Sequence, residues 1–354
     1  MIGPQRGASA GARIATILSG AWREPVEGWT GPADDLAAVA PLLLHGGVAA
    51  LAWRRVRGSD QAVSAPAAAL QQAYRLQALR AAVHEQEVSR SFRLLRAHGV
   101  EPVLGKGWAA ARLYSDPGSR PYGDVDLYIR AEQHAAAKAA VVSPGADCPI
   151  DLHFGFAELD DRSPEQIEER TVRVEANGIP VRLFGPEDHL RLLCLHALRH
   201  GLLRPLWLCD VAAAVEGRAA SFDWDRVLWG DPTRTRWTIT AIALAQRLLG
   251  ARLDDAPVAP RAAQIPRWLV PSVLEEWGSA RLAQGARQPM ADAVRHPRAL
   301  LRALGTRWPN AIEATVGVGG SFGAWPRLPY QVAECARRSA RFVAGIGRDA
   351  AGQL

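Results

Sequence analysis

The chain has 354 residues, 48% hydrophobic and 22% charged, a composition that points to a globular protein of two or three domains rather than a disordered or fibrous one. A formal charge of +6 suits phosphate-bearing partners. The arginines are scattered, however, and no basic block is interleaved with aromatics, so no nucleic-acid groove is expected.

Residues 1–97 read as an N-terminal helical region. "DDLAAVAPLLLHGGVAALAWRRV" carries apolar residues at helical spacing, and after the loop "RGSDQAVSAP" a long amphipathic helix runs to a stop at Gly99. The most apolar run, Ala37 to Trp53, is interrupted by Pro41, His45 and the Gly46-Gly47 pair. It is too short for a bilayer, which takes roughly 20 apolar residues. With no signal-peptide pattern at the start, no membrane partner and a cytoplasmic location are expected. The four cysteines, Cys148, Cys194, Cys209 and Cys335, lack CxxC spacing, which fits free thiols in a reducing compartment.

Residues 98–185 form an α/β core. "VEPVLGKG" is a short strand entering a turn, "WAAARLYS" a turn or two of helix, and "DPGSRPYG" a loop. "DVDLYIR" and "CPIDLHFGF" alternate as strands do, with helical "AEQHAAAKAAV" between them. "TVRVEANGIPVRLFG" is a hairpin about Asn177-Gly178, the strongest short hairpin signal in the chain. Residues 186–354 return to helix as a larger C-terminal helical domain. Its tryptophans (Trp207, Trp224, Trp229, Trp237, Trp268, Trp277) are expected to fill gaps between helices. The fold class is therefore α+β: a small mixed β-sheet flanked by N-terminal and larger C-terminal helices.

The chain contains two lysines, Lys106 and Lys138, against 40 arginines. Lys106 stands between Gly105 and Gly107, where a compact ammonium and closely approaching backbone N–H groups suit phosphate oxygens. A helix starting near Trp108 would aim its positive end at the same place. Alternation puts Asp124 and Asp126 on one face of their strand, opposite Val125, Leu127 and Ile129. Asp151 and His153 share the corresponding face of the second strand. A solvated sheet face also carries such residues. If the two strands are neighbours, though, three hard oxygen donors gather on a rigid surface, a natural Mg²⁺ site.

In order and in context, "LGKGWAAARLY", "RPYGDVDLYI", "IDLHF", "HALRHGLLRPLWLCD" and "DWDRV" resemble the DNA polymerase β-type nucleotidyltransferase superfamily. They are closer still to its bacterial branch of uncharacterised nucleotidyltransferase family proteins. The resemblance spans roughly residues 30–345. It implies a nucleotidyltransferase that moves an NMP group from an NTP, ATP foremost, to a hydroxyl or similar acceptor on a small molecule, peptide or protein. Asp124 and Asp126 would hold both of two Mg²⁺ ions, with Mn²⁺ as a substitute. Asp151 would bind the catalytic ion and help deprotonate the acceptor. Gly105, Lys106 and Gly107 would hold the β- and γ-phosphates, although Lys106 stands where the superfamily usually has serine. Arg120 would clamp a phosphate or the strand and its loop.

His196 and His200 lie four apart on a helix, a geometry able to hold zinc, but no glutamate stands between them as in metalloproteases. Helical packing, with Asp210 as a partner, or a place at the cleft rim is the alternative. His153 is a candidate substrate contact or a group that orients Asp151. Beside the transferase reading stand two others: a non-catalytic nucleotide- or partner-binding accessory of a biosynthetic or toxin–antitoxin system, and a zinc hydrolase built on the helical histidines.

Overall fold

The protein is described from a computed structural model over residues 9–143, 148–279 and 307–351. Helices α1 (Ala10–Leu18), α2 (Ala33–His45) and α3 (Ala49–Val56) precede the 33-residue α4 (Ala65–Ala97). The α/β segment follows as β1 (Val103–Leu104), α5 (Lys106–Ala111), β2 (Val125–Ile129), α6 (His134–Val141), β3 (Ile150–Phe154), α7 (Pro164–Glu169), β4 (Val172–Ala176) and β5 (Ile179–Leu183). Next come α8 (Pro186–Arg199), α9 (Pro205–Glu216), α10 (Trp224–Leu228), α11 (Pro232–Leu249), α12 (Ala259–Ala262) and α13 (Leu269–Gly278). After residues outside the described set, α14 (Ala311–Gly317) and α15 (Leu328–Ala351) complete the chain. No helix among the described residues is long and apolar enough to cross a membrane.

Local chemistry sets these boundaries. Ser64 caps α4 by accepting from the Ala67 N–H, and Gly99, at φ +73°, turns the chain out of the helix where a side chain would be strained. Asn177 (φ +45°) and Gly178 (φ +77°) both take the left-handed conformation of a two-residue hairpin turn, joining β4 to β5.

The five strands form one mixed sheet in the order β3-β2-β1-β5-β4. β2 runs parallel to β3 and antiparallel to β1, β1 is parallel to β5, and β5 is antiparallel to β4. One face is sealed by α4 and α6. There Val125, Leu127 and Ile129 share an apolar cluster with Val88, Phe92 and Leu95 of α4 and Ala137 and Ala140 of α6. The opposite face carries Val103 and Tyr128 into the main core, so it is not the wet face that alternation alone would allow.

That main core draws its residues from both ends of the chain. Ile14, Leu36, Leu51 and Trp53 of the first three helices pack in the same cluster as Leu192, Leu208, Leu244 and Trp277. The early helices thus close over the C-terminal ones while α4 also packs on the sheet. Burial of this apolar surface is the main driving force for the arrangement. Most of the named tryptophans behave as gap fillers: Trp277 is fully buried and donates to the Leu202 carbonyl at 2.9 Å. Trp229 does not, being 56% exposed.

The arginine excess has a structural use that composition did not indicate. Arg54, Arg120, Arg162 and Arg191 are all buried, and each meets a carboxylate: Glu24, Asp210, Asp188 and Asp161 respectively. A rigid, permanently charged fork suits that task better than a lysine. Cys194 and Cys209 are buried free thiols, and Cys148 and Cys335 are half-buried.

Candidate active site

The site is built on the β2–β3 pair. In parallel register Asp126 lies opposite Asp151, and Tyr128 opposite His153. Period-two alternation therefore sends all four to the same face. The donor atoms of Asp126, Asp151 and His153 come within 4.8 Å of one another. His153 Nε2 lies 3.0 Å from Asp126 Oδ1 and 3.2 Å from Asp151 Oδ2. Its ring stacks on Tyr128, with centroids 4.5 Å apart and planes 17° apart, which fixes the direction of the imidazole. Asp124 precedes β2 and is not part of this three-residue cluster as the side chains stand. Its carboxyl is still raised from the ordinary range, by partial removal from water and then by the charges of Asp126 and Asp151.

Lys106 joins the cluster from the other side. Its ammonium lies 2.7 Å from Asp126 Oδ1 and 3.1 Å from His153 Nε2. Burial acts to raise the Asp126 carboxyl, but the His153 hydrogen bond and the Lys106 charge outweigh it and hold the group below its usual value. Lys106 itself sits at φ +44°, a conformation uncommon for a non-glycine residue, so the surrounding contacts must hold it there.

The flanking glycines divide the labour. The Gly105 N–H donates to the Asp126 carbonyl at 3.1 Å, so that amide is taken up by the sheet and does not face the cleft. A Cβ on Gly105 would stand 2.9 Å from Tyr128 and 3.0 Å from both Leu192 and Phe184. Close packing, rather than a phosphate, therefore accounts for glycine at this position. Gly107 does line the cleft, and a Cβ there would meet the Asp124 carbonyl at 3.2 Å and an Asp126 carboxylate oxygen at 3.4 Å. Helix α5 has six residues and includes the non-helical Gly107, so the helix dipole expected near Trp108 is slight.

Arg120 is not a free surface cation. Its Nη2 and Nε lie 2.8 and 3.3 Å from Asp210 Oδ2, and the pair is buried. The Tyr114 hydroxyl donates to Asp210 Oδ1 at 2.8 Å. Asp210 is thereby committed to Arg120 and Tyr114, which corrects the expectation that it partners His196 or His200. Those two rings instead pack on each other at 4.5 Å and on Trp207 at 5.3 and 5.4 Å. His196 is held well below the ordinary imidazole value by removal from water and then by His200 and Lys106. Among the described residues the histidine pair takes part in no cluster of three metal ligands.

One cleft of about 660 Å³ collects these groups. It is lined by Lys106, Gly107, Arg120, Asp124, Asp126, Asp151, His153, His196 and His200 among others; of the candidate nucleotide, metal and substrate residues, Gly105 lies outside it. The structure adds Tyr122, Glu158, Arg199, Arg204 and Trp207 to the lining. Of these, Trp207 carries a legible signal, since it falls within the "HALRHGLLRPLWLCD" segment, although helical spacing alone points to packing. A second cavity of about 970 Å³ adjoins the first across Ala157, Glu158, Arg199 and His200 and continues between α11, α14 and α15.

The donor set fits a divalent cation. Two carboxylates and an imidazole nitrogen converge on one point, and the carboxylates are fixed by sheet register rather than by flexible loops. No curated protein matches the chain. A crystal structure of an antigenic nucleotidyltransferase-like protein from Paracoccidioides brasiliensis is similar at 17% identity and TM-score 0.32, over 52% of this chain and 91% of that one. A family profile described as uncharacterised nucleotidyltransferase matches residues 32–149 and 144–250, more than half of the chain and the whole of the β2–β3 site. The sheet-borne carboxylates and the span of that match lead to one conclusion: the chain belongs to the uncharacterised nucleotidyltransferase family.

Proposed function

We propose that the protein transfers a nucleotidyl group from an NTP, with ATP the first choice, to a hydroxyl or similar acceptor, releasing pyrophosphate. One observation carries this reading: Asp126 and Asp151 stand opposite each other in register, beside His153, directly in front of the Lys106-Gly107 turn.

In this reading Asp126 and Asp151, with Asp124 at the strand entrance, hold Mg²⁺, and Mn²⁺ can substitute. A bound divalent ion would neutralise phosphoryl oxygens and lower the pKa of an adjacent hydroxyl. The chain's own residues supply position. Lys106 and Gly107 border the space for the phosphates. Arg120, at the cleft wall, fixes the loop before β2 through Asp210, and Gly105 acts from behind through the packing beneath Lys106. Asp151, whose side chain is 51% exposed, faces the cleft where it can take a proton from an incoming hydroxyl. Trp207, braced edge-on by His196 and at a tilt by His200, offers an aromatic ring for a base. The second cavity, joined to the first at Glu158 and Arg199, suits the acceptor. Holding the acceptor in line with the reacting phosphorus can contribute several kcal/mol to the rate, roughly 7–11 at the upper limit for well-oriented groups.

The test is release of pyrophosphate from each labelled NTP, with Mg²⁺ or Mn²⁺ and a mixture of candidate hydroxyl acceptors. Asp126→Asn should abolish release while leaving the circular dichroism spectrum unchanged. Failure of every NTP to turn over, together with no metal-dependent nucleotide binding, would reject the reading.

A further inference from the structure

We propose that Lys106 is a resident counter-cation of the site: its ammonium neutralises Asp126 in the metal-free protein and shifts onto the triphosphate when a divalent ion enters, so that metal and nucleotide bind cooperatively. This rests on the nucleotidyltransferase reading for the identity of the anion, but not for the competition itself.

The geometry sets up that competition. Lys106 Nζ lies 2.7 Å from Asp126 Oδ1 and 3.1 Å from His153 Nε2, and both partner residues belong to the three-residue metal cluster. A divalent ion bound to Asp126 sits within roughly 2.0–2.6 Å of a carboxylate oxygen. An ammonium and such an ion would then be a few ångströms apart in a site where the Lys106 and Asp126 side chains are only 8% and 9% exposed. Like charges at that separation repel strongly where water is excluded. One of the two must leave, and only Lys106 has a direction to go, since it borders an open cleft along with Gly107 and Tyr122.

Residue type and backbone fit the same role. The chain uses arginine 40 times and lysine twice. A guanidinium locked in a planar fork holds a partner, as Arg120 holds Asp210. An ammonium on a four-carbon stem can exchange partners while its Cα stays in place. The Lys106 backbone is held at φ +44°, and its stem lies over the sheet with Nζ 5.6 Å from the centroid of the Tyr128 ring. Were the lysine only a fixed structural cation, nothing in the site would favour lysine over the arginine used elsewhere.

Cooperativity follows by linkage. Metal alone must strip Asp126 and His153 of the ammonium without giving it a new partner, whereas nucleotide supplies that partner. Each ligand therefore raises the other's affinity by the same factor.

The experiment measures Mn²⁺ binding by electron paramagnetic resonance, with and without a non-hydrolysable ATP analogue, in the wild type, Lys106→Met and Asp126→Asn. Methionine keeps the length of the stem and removes its charge. Lys106→Gly accommodates the positive φ and serves if the methionine variant folds poorly. Without nucleotide, the Lys106 variants should bind Mn²⁺ more tightly than wild type, by a factor in the range of about 5–150 that is usual for coupled sites. The analogue should tighten Mn²⁺ binding in wild type and much less in the variants. Unchanged or weaker Mn²⁺ binding in both Lys106 variants overturns the proposal. If wild type binds Mn²⁺ and Asp126→Asn does not, the metal site stands whatever the lysine does. Absence of Mn²⁺ binding in every form overturns both.

Discussion

Arg120 and Asp210 join the two halves of the molecule through a buried fork, with Arg120 Nη2 2.8 Å from Asp210 Oδ2 and the Asp210 side chain fully enclosed. The arginine comes from the loop before β2 and the aspartate from α9, 90 residues later. The pair ties the loop before the acidic strand to the C-terminal helices at the wall of the cleft.

Breaking it should be costly. Asp210→Ala leaves a buried guanidinium without its counter-charge, and loss of one partner of a buried pair costs about 3–5 kcal/mol. Urea denaturation should show that loss. Replacing both residues with apolar ones, as in Arg120→Met with Asp210→Leu, should recover most of it. Full stability in the single variant would mean that the pair does not organise the loop.

Removing a metal-cluster residue should separate function from fold. Asp126→Asn is nearly isosteric, and losing merely a hydrogen-bond partner of a metal ligand typically costs 10–100-fold in metal affinity. A direct donor should therefore cost about 100-fold or more. Calorimetric titration with Mn²⁺ reads this. The same variant should lose the proposed nucleotidyl transfer.

Acid should weaken the fold through His189. Burial first, and the nearby Arg120 charge second, push its pKa from 6.5 to about 4. Between those values the unfolded chain binds a proton that the folded one does not. Stability thus falls as pH drops from about 6.5 toward 4. At roughly 1.4 kcal/mol per pH unit, His189→Leu should reduce the loss between pH 7 and 4.5 by about 2–3 kcal/mol. Denaturant midpoints at the two pH values check it. An acid limb unchanged in the variant would place the sensitivity elsewhere.

Gly105 should not tolerate even a methyl group. With Tyr128, Leu192 and Phe184 all within 3.0 Å of an added Cβ, Gly105→Ala overpacks the base of the site at a cost of about 1–3 kcal/mol. Because Tyr128 supports the His153 ring, the variant should also lose Mn²⁺ affinity beyond what its stability change explains. Thermal melts and Mn²⁺ titrations together distinguish the two effects.

Much of the local structure was legible in the sequence, because local rules govern it. The Asn177-Gly178 hairpin, the stop at Gly99 and the alternation of "DVDLYI" and "IDLHF" all follow from backbone preferences and period-two faces. Those faces also put Asp151 and His153 on one side of their strand and Asp126 on the polar side of its own, and the parallel pairing of the two strands then brings the three together. Roles within the "GKG" turn were less accessible. Gly105 and Gly107 look alike in sequence, yet one amide is bonded into the sheet and the other glycine borders the cleft.

By itself the sequence determined which residues could carry charge to a common sheet face, because alternation along a strand is a property of the chain alone. Only the tertiary structure decided the partnerships. Which carboxylate meets Lys106, which meets Arg120, and how far His196 and His200 stand from water depend on segments brought together from 20 to 90 residues apart. Pairings of that kind arise from packing two helical ends over one sheet, and no local preference encodes them.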